Sequence, residues 1–134
     1  MTAVPPYEAE IRELHDFFAA WFNGTLNETR FVRFTDVLAM DFTMITPDAR
    51  AVRARDDVLD DVRGGYASRT GMRIWIEDVR LLHTIGEVLV VSYIEKQAVD
   101  DRETARRSTV LFAPQDDTPN GLLWLHVHET WIEG

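Results

Sequence analysis

Leu122-Leu-Trp-Leu-His-Val-His-Glu-Thr-Trp-Ile-Glu133 alternates residue by residue, so as a β-strand it presents two different faces. Trp124, His126, His128 and Thr130 fall on one face, and Leu125, Val127, Glu129 and Trp131 on the other. Two tryptophans, two histidines and a carboxylate mark a strand in the middle of a sheet, one of whose faces walls a site. Working back from it, residues 72–84, 87–99 and 103–114 read as three more long strands. Ile85-Gly86, Asp100-Asp101-Arg102 and the Gln115–Gly121 loop, with its Asp-Asp-Thr-Pro-Asn core, join them. Connections this short imply antiparallel neighbours.

The first half of the chain is helical by pattern. Pro5 and Pro6 suit a helix start, where a missing N–H costs nothing. Ile11, Leu14, Phe18 and Phe22 then form an apolar stripe with His15 beside it, widened by Phe17 and Trp21. Asn23-Gly24 is a stop signal. Thr25 to Glu28 has the spacing of a capping box for a second, short helix that carries Phe31, Phe34 and Leu38. Residues 41–46 read as a strand that turns at Pro47-Asp48 and returns over residues 49–52. Asp56, Asp57, Asp60 and Asp61 interleave with Val58, Leu59 and Val62 in a third helix, ended by Gly64-Gly65. Helices first and a four-strand meander last give an α+β layout, a curved sheet with helices on its concave side.

Composition narrows the function classes. At 134 residues, 46% hydrophobic and 28% charged, the expectation is one globular domain spanning residues 1–134. A net charge of −9 argues against nucleic acid and anionic membrane surfaces as partners. With no cysteine, disulfides, thiolate catalysis and cysteine-ligated metals are excluded. The Met-Thr-Ala-Val-Pro-Pro start has no secretory pattern and no apolar run reaches a membrane span, so a cytoplasmic location is expected. Strand 87–99 opens Val-Leu-Val-Val, apolar on both sides, and the chain's own helices cover only one of them. A two-fold partner packed sheet against sheet is the expected cover, which makes the protein a homodimer.

The element order helix–helix–hairpin–helix–four strands resembles the NTF2-like superfamily, and within it the SnoaL-like and DUF4440 groups. Three motifs anchor the resemblance: Trp21-Phe22-Asn23-Gly24, Asp41-Phe42-Thr43 leading to Pro47-Asp48, and Trp124 followed by His128-Glu129. The resemblance implies a cone with a pocket at its open end. It does not choose between isomerases, cyclases, dehydratases and non-catalytic binding or assembly domains. Ketosteroid isomerases of the superfamily carry a carboxylate base before the hairpin proline and a tyrosine donor in the first helix. Here those positions hold Thr46 and Phe17, which cannot perform these roles, so that mechanism is absent.

Glu129 is the leading candidate for chemistry. Its face is otherwise apolar, and the resemblance places this position in the pocket, where unpaired burial raises a carboxyl pKa. The competing structural role is an ion pair with Arg106 or Arg107 from the preceding strand. His15 and Tyr93 are its candidate catalytic partners, His15 facing Glu129 from the helix side. Phe18, Trp75, Glu95, Arg107 and Trp131 complete the candidate pocket lining. For Glu95 the plainer reading is a strand end that emerges into solvent beside Lys96. His126 and His128 share one face, but a cupin-type metal site needs more strand and another histidine beyond this point. The expectation is therefore no metal and no cofactor, with both histidines and Trp124 packing at the dimer surface. Two readings remain open: a small-organic-molecule pocket with cofactor-independent acid/base catalysis, and a non-catalytic dimerisation or ligand-sensing module.

Overall fold

In the computed structural model, which describes residues 3–48 and 51–133, three helices pack on one face of a six-stranded, mainly antiparallel sheet. The elements run α1 (Pro6–Asn23), a 3-10 turn (Glu28–Phe31), α2 (Val32–Thr35), β1 (Leu38–Ile45), β2 (Arg53–Ala54) and α3 (Arg55–Gly64). The meander follows: β3 (Arg73–Ile85), β4 (Val88–Val99), β5 (Arg102–Pro114) and β6 (Leu122–Ile132). The sheet order is β2-β1-β6-β5-β4-β3, and β1 runs parallel to β6 while every other pair is antiparallel. The last strand therefore lies inside the sheet, next to the first.

α1 buries Glu10, Ile11, Leu14, His15, Phe17 and Trp21 against the sheet and the other helices. Trp21 stacks on Phe17 and donates Nε1–H to the Val62 carbonyl at 2.7 Å, which ties α1 to α3. The Trp-Phe-Asn-Gly motif has a physical basis. Asn23 donates Nδ2 to the Ala19 and Met72 carbonyls and accepts from the Gly71 amide, clamping the helix end to the start of β3. Gly24 has φ +77°, and a Cβ there would lie 2.6 Å from the Ala67 Cβ, so no side chain fits.

Several local expectations change. Thr25 does not cap the second helical segment; its hydroxyl donates to the Ala20 carbonyl, and Asn27 caps by accepting from the Thr29 amide. An Asx cap two residues before its donor competes successfully with the more distant threonine. Leu38 belongs to β1, because the helical segment ends at Thr35. The hairpin return expected over residues 49–52 includes positions 49 and 50, which lie outside the described residues. Residues 53–54 form the short β2, with Met44 opposite Arg53 and Thr43 opposite Ala54. No helix among the described residues is long and apolar enough to cross a membrane.

The strand that decides the fold breaks its own alternation. Phe112 pairs with Trp124 but Leu111 pairs with His126, so Leu125 is an extra residue, a β-bulge. The bulge shifts the faces by one. Trp124 joins Val127 and Glu129 on the helix side of the sheet, and it is 2% exposed rather than part of an outer surface. It packs against Phe112 with ring centroids 4.8 Å apart.

Candidate functional site

Between the helices and the sheet lies a cavity of about 310 Å³. Most of its wall is apolar, including Phe18, Phe34, Phe42, Met44 and Trp124, and its exposed end carries the Arg53–Asp61 ion pair. The remaining wall is polar and buried. Strand register builds it: Ser108 stands opposite both Tyr93 and Glu129, and Arg106 opposite both Glu95 and Trp131. Directly opposed residues share a face, so β4, β5 and β6 deliver Tyr93, Glu95, Arg106, Ser108 and Glu129 to one patch.

His15 reaches this patch from α1. Its Nδ1 lies 2.7 Å from the Ile11 carbonyl, an oxygen that only accepts, so Nδ1 carries a proton. Its Nε2 lies 3.0 Å from Glu95 Oε1. A single proton must bridge that contact, and the stable arrangement is an imidazolium against a carboxylate. For Glu95, burial pushes the pKa upward, but the His15 charge and hydrogen bond, Arg106 and Gln97 outweigh it and hold the pKa down at about 2. Burial alone would lower the His15 pKa, yet the Glu95 charge and hydrogen bond, the Ile11 carbonyl and Glu129 raise it above 6.5.

Glu129 has the opposite balance. It is 4% exposed, and its two contacts are long: Arg106 Nη1 and Ser108 Oγ each approach its oxygens at 3.4 Å. Burial, and then the Glu95 charge, push its pKa from 4.5 up to about 7, against the pull of Arg106 and His15. Tyr93, 1% exposed and hydrogen-bonded to Ser108, is held protonated by burial and by the two neighbouring carboxylates. The patch thus pairs one carboxylate that is ionised throughout the neutral range with one that titrates near neutrality, separated by environment alone.

Of the residues expected from the sequence, His15, Phe18, Tyr93, Glu95 and Glu129 line this cavity. Glu95 does not emerge into solvent; it is 4% exposed, because α1 covers the strand and His15 neutralises it. His15 faces Glu95 directly rather than Glu129. Three residues fall elsewhere. Arg107 opposes Ile94 and Thr130 on the outer face, where it bonds Ser92 Oγ at 3.0 Å and Asp78 Oδ2 at 3.2 Å; Arg106 takes its place beside Glu129. Trp75 opposes Lys96, also on the outer face, and donates to Glu77 Oε2 at 2.9 Å. Trp131 has the expected face but lies past the covering helices; it is 40% exposed, donates to Asp48 at 2.8 Å and stacks over Arg106. His126 engages Thr43 Oγ1 through Nδ1 at 2.8 Å, and the two histidine rings are 6.5 Å apart.

Sequence reasoning missed Gln97, Ser108 and above all Glu10. Gln97 follows Glu95 by one strand period and donates to its carboxylate. Ser108 is fully buried opposite Glu129. Glu10 is fully buried behind the cavity wall residue Trp124, whose Nε1–H it receives at 2.8 Å. A signal for Glu10 was present: it lies one and two turns before Leu14 and Phe17 on the buried stripe.

Comparison with known proteins fits this architecture. An NTF2-like protein of unknown function from Pseudomonas aeruginosa superposes with a TM-score of 0.87 at 26% identity, over 96% of this chain and 99% of the other. The CaMKII hub of S. rosetta shares the fold with a TM-score of 0.69 at 14% identity, over 98% of this chain and 100% of the other. Sucrose-phosphatase 1 of Nicotiana tabacum is 24% identical over 136 aligned positions, covering 98% of this chain but 31% of that protein. The chain thus spans about a third of that relative's length. The family model for the sucrose-6-phosphate phosphohydrolase C-terminal region matches residues 8–133, and the chain belongs to that family within the NTF2-like fold.

Proposed function

We propose that this domain binds a small organic molecule in the cavity and uses Glu129 as a proton donor and acceptor, without a cofactor. One observation carries the reading: Glu129 is buried, weakly held and titrates near neutrality, the state required of an acid/base group working near pH 7. Tyr93 stays protonated beside it and serves as hydrogen-bond donor to a developing oxyanion. The His15–Glu95 ion pair fixes the local field and, through the Glu95 charge, keeps the Glu129 pKa high. Isomerase, cyclase and dehydratase chemistry all draw on such a set.

Titrating Glu129 by carboxyl carbon NMR tests this. A midpoint near 7 is expected, and one near or below about 4.3 would exclude the acid/base role. Stability gives an independent check. The folded pKa of Glu129 is raised above 4.5, so its contribution is fully present below pH 4.5 and is lost as pH rises through about 7. That loss is on the order of 3 kcal/mol. Glu129→Gln, which stays neutral, is expected to match the wild type near pH 5 and exceed it in urea denaturation near pH 8.5.

A second reading, self-association through the outer sheet face, is supported by Ile85, which opposes Val88 on that face beside the β3–β4 turn and is 66% exposed. The fold shared with a hub domain supports it as well. Sedimentation velocity at micromolar concentration is expected to give twice the mass of the chain; a monomer would remove this reading and leave the cavity proposal intact.

A further inference from the structure

The charge balance around Arg106 points to a ligand class, given the reading of the cavity as a binding site. The Arg106 side chain is 16% exposed, yet its guanidinium is poorly served. Nη1 meets Glu129 Oε1 at a long 3.4 Å, and Nε is buried with no hydrogen-bond partner. The Trp131 ring covers one side, 4.7 Å from Cζ. Glu95, by contrast, is well supplied by His15 Nε2 at 3.0 Å and by Gln97. The groups that surround Glu129 are His15 from α1, Tyr93 and Glu95 from β4, and Arg106 and Ser108 from β5. At the exposed end, Arg53 and Asp61 pair with each other, and Arg69 lies over the Phe22 ring at 4.9 Å.

His15 and Glu95 cancel. What remains is the Arg106 cation and a carboxyl that is neutral or charged according to pH. With Glu129 neutral, the buried patch holds one uncompensated positive charge, which is costly in a low-dielectric setting. An anionic ligand would supply both the countercharge and the acceptor that the guanidinium lacks.

We propose that the cavity takes a small organic monoanion, a carboxylate on an apolar body, whose head group pairs with Arg106. A monoanion matches the single uncompensated cation. A phosphate dianion needs a second one beside Arg106; Arg53 is committed to Asp61, and Arg69 lies over the Phe22 ring at the exposed end. The aromatic and aliphatic walls suit the body, and a volume of about 310 Å³ lies at the small end of ligand pockets. The ligand carboxylate and an ionised Glu129 compete for one guanidinium, so binding takes up a proton at a pH where Glu129 is ionised. Affinity is flat while Glu129 is protonated and falls as pH rises beyond that, toward about tenfold per pH unit.

Phenylacetate and its neutral isostere phenylacetamide, titrated calorimetrically near pH 6 and pH 8.5, test the proposal. Near pH 6 the acid is expected to bind at least about tenfold more tightly than the amide, and to lose about tenfold or more by pH 8.5 while the amide barely changes. Buffers of different ionisation enthalpy should report proton uptake with the acid alone. Arg106→Met is expected to remove the advantage of the acid but leave amide binding, and Glu129→Gln to flatten the pH slope. Equal binding of acid and amide by the wild type, or an acid affinity independent of pH, overturns the monoanion proposal and leaves the cavity reading standing. Displacement of phenylacetate by inorganic phosphate at lower concentration overturns the ligand class. Failure of both probes to bind at millimolar concentration overturns the cavity reading and this proposal with it.

Discussion

Glu10→Ala is expected to destabilise the protein by about 3–5 kcal/mol, read as a shift in the urea midpoint at constant m-value. The carboxylate is fully buried, and four hydrogen bonds converge on it. Oε1 accepts from Arg33 Nη2 at 2.8 Å and Asn120 Nδ2 at 3.0 Å; Oε2 accepts from Arg33 Nη1 at 3.2 Å and Trp124 Nε1 at 2.8 Å. One side chain of α1 thereby holds α2, the loop before β6 and the bulged part of β6. Alanine would leave a largely buried guanidinium and the indole N–H without acceptors, and that desolvation, more than the lost contacts, sets the cost. Glu10→Gln tests the mechanism. It keeps the shape but turns one oxygen into a donor aimed at other donors, so its cost should be intermediate. A loss below about 1 kcal/mol for the alanine variant would mean that water replaces the carboxylate at this position.

The strands of the meander were legible in the sequence because each is long, β-rich and bounded by turn residues, and α1 because its stripe is continuous. The parallel pairing of β1 with β6 was not, since nothing local in either strand specifies a partner some eighty residues away. Within the site, legibility depended on register. Glu129, Tyr93 and Glu95 share the cavity because strand alternation is regular where they lie, and His15 joins them from the buried stripe of α1. Arg107 was placed wrongly by one position, and a one-residue offset moves a strand side chain to the opposite face. Trp124 was misassigned by the bulge at Leu125, which carries no glycine or other warning in its own residue type. Lys96 misled the reading of Glu95, because exposure of one residue says nothing about its neighbour on the opposite face. The high pKa of Glu129 was anticipated from burial, but its second cause, the Glu95 charge, required the three-dimensional patch.

The second large effect belongs to the His15–Glu95 pair. His15→Leu is expected to cost about 3–5 kcal/mol near pH 6, because it strands a carboxylate that is only 4% exposed beside a second carboxyl. Leucine keeps most of the apolar contact with Phe18 and Tyr93, whose rings meet the imidazole edge-on, so the loss reports the charge more than the packing. The pH dependence separates the two. The folded pKa of His15 is raised above 6.5, so its contribution is fully present below pH 6.5 and is lost as pH rises through the folded value. The folded pKa of Glu95 is lowered from 4.5 to about 2, so its contribution is present above pH 4.5 and is lost as pH falls through 2. The pair therefore stabilises most between pH 4.5 and 6.5. Without the imidazolium, the carboxyl of Glu95 takes up a proton more readily, and the deficit of His15→Leu should shrink toward pH 3. The double variant His15→Leu with Glu95→Leu should recover much of that deficit near pH 6, since two apolar side chains leave no charge unpaired. A double variant as unstable as the sum of its singles, or a His15→Leu deficit that stays constant from pH 3 to pH 6, would mean that the histidine acts by shape alone.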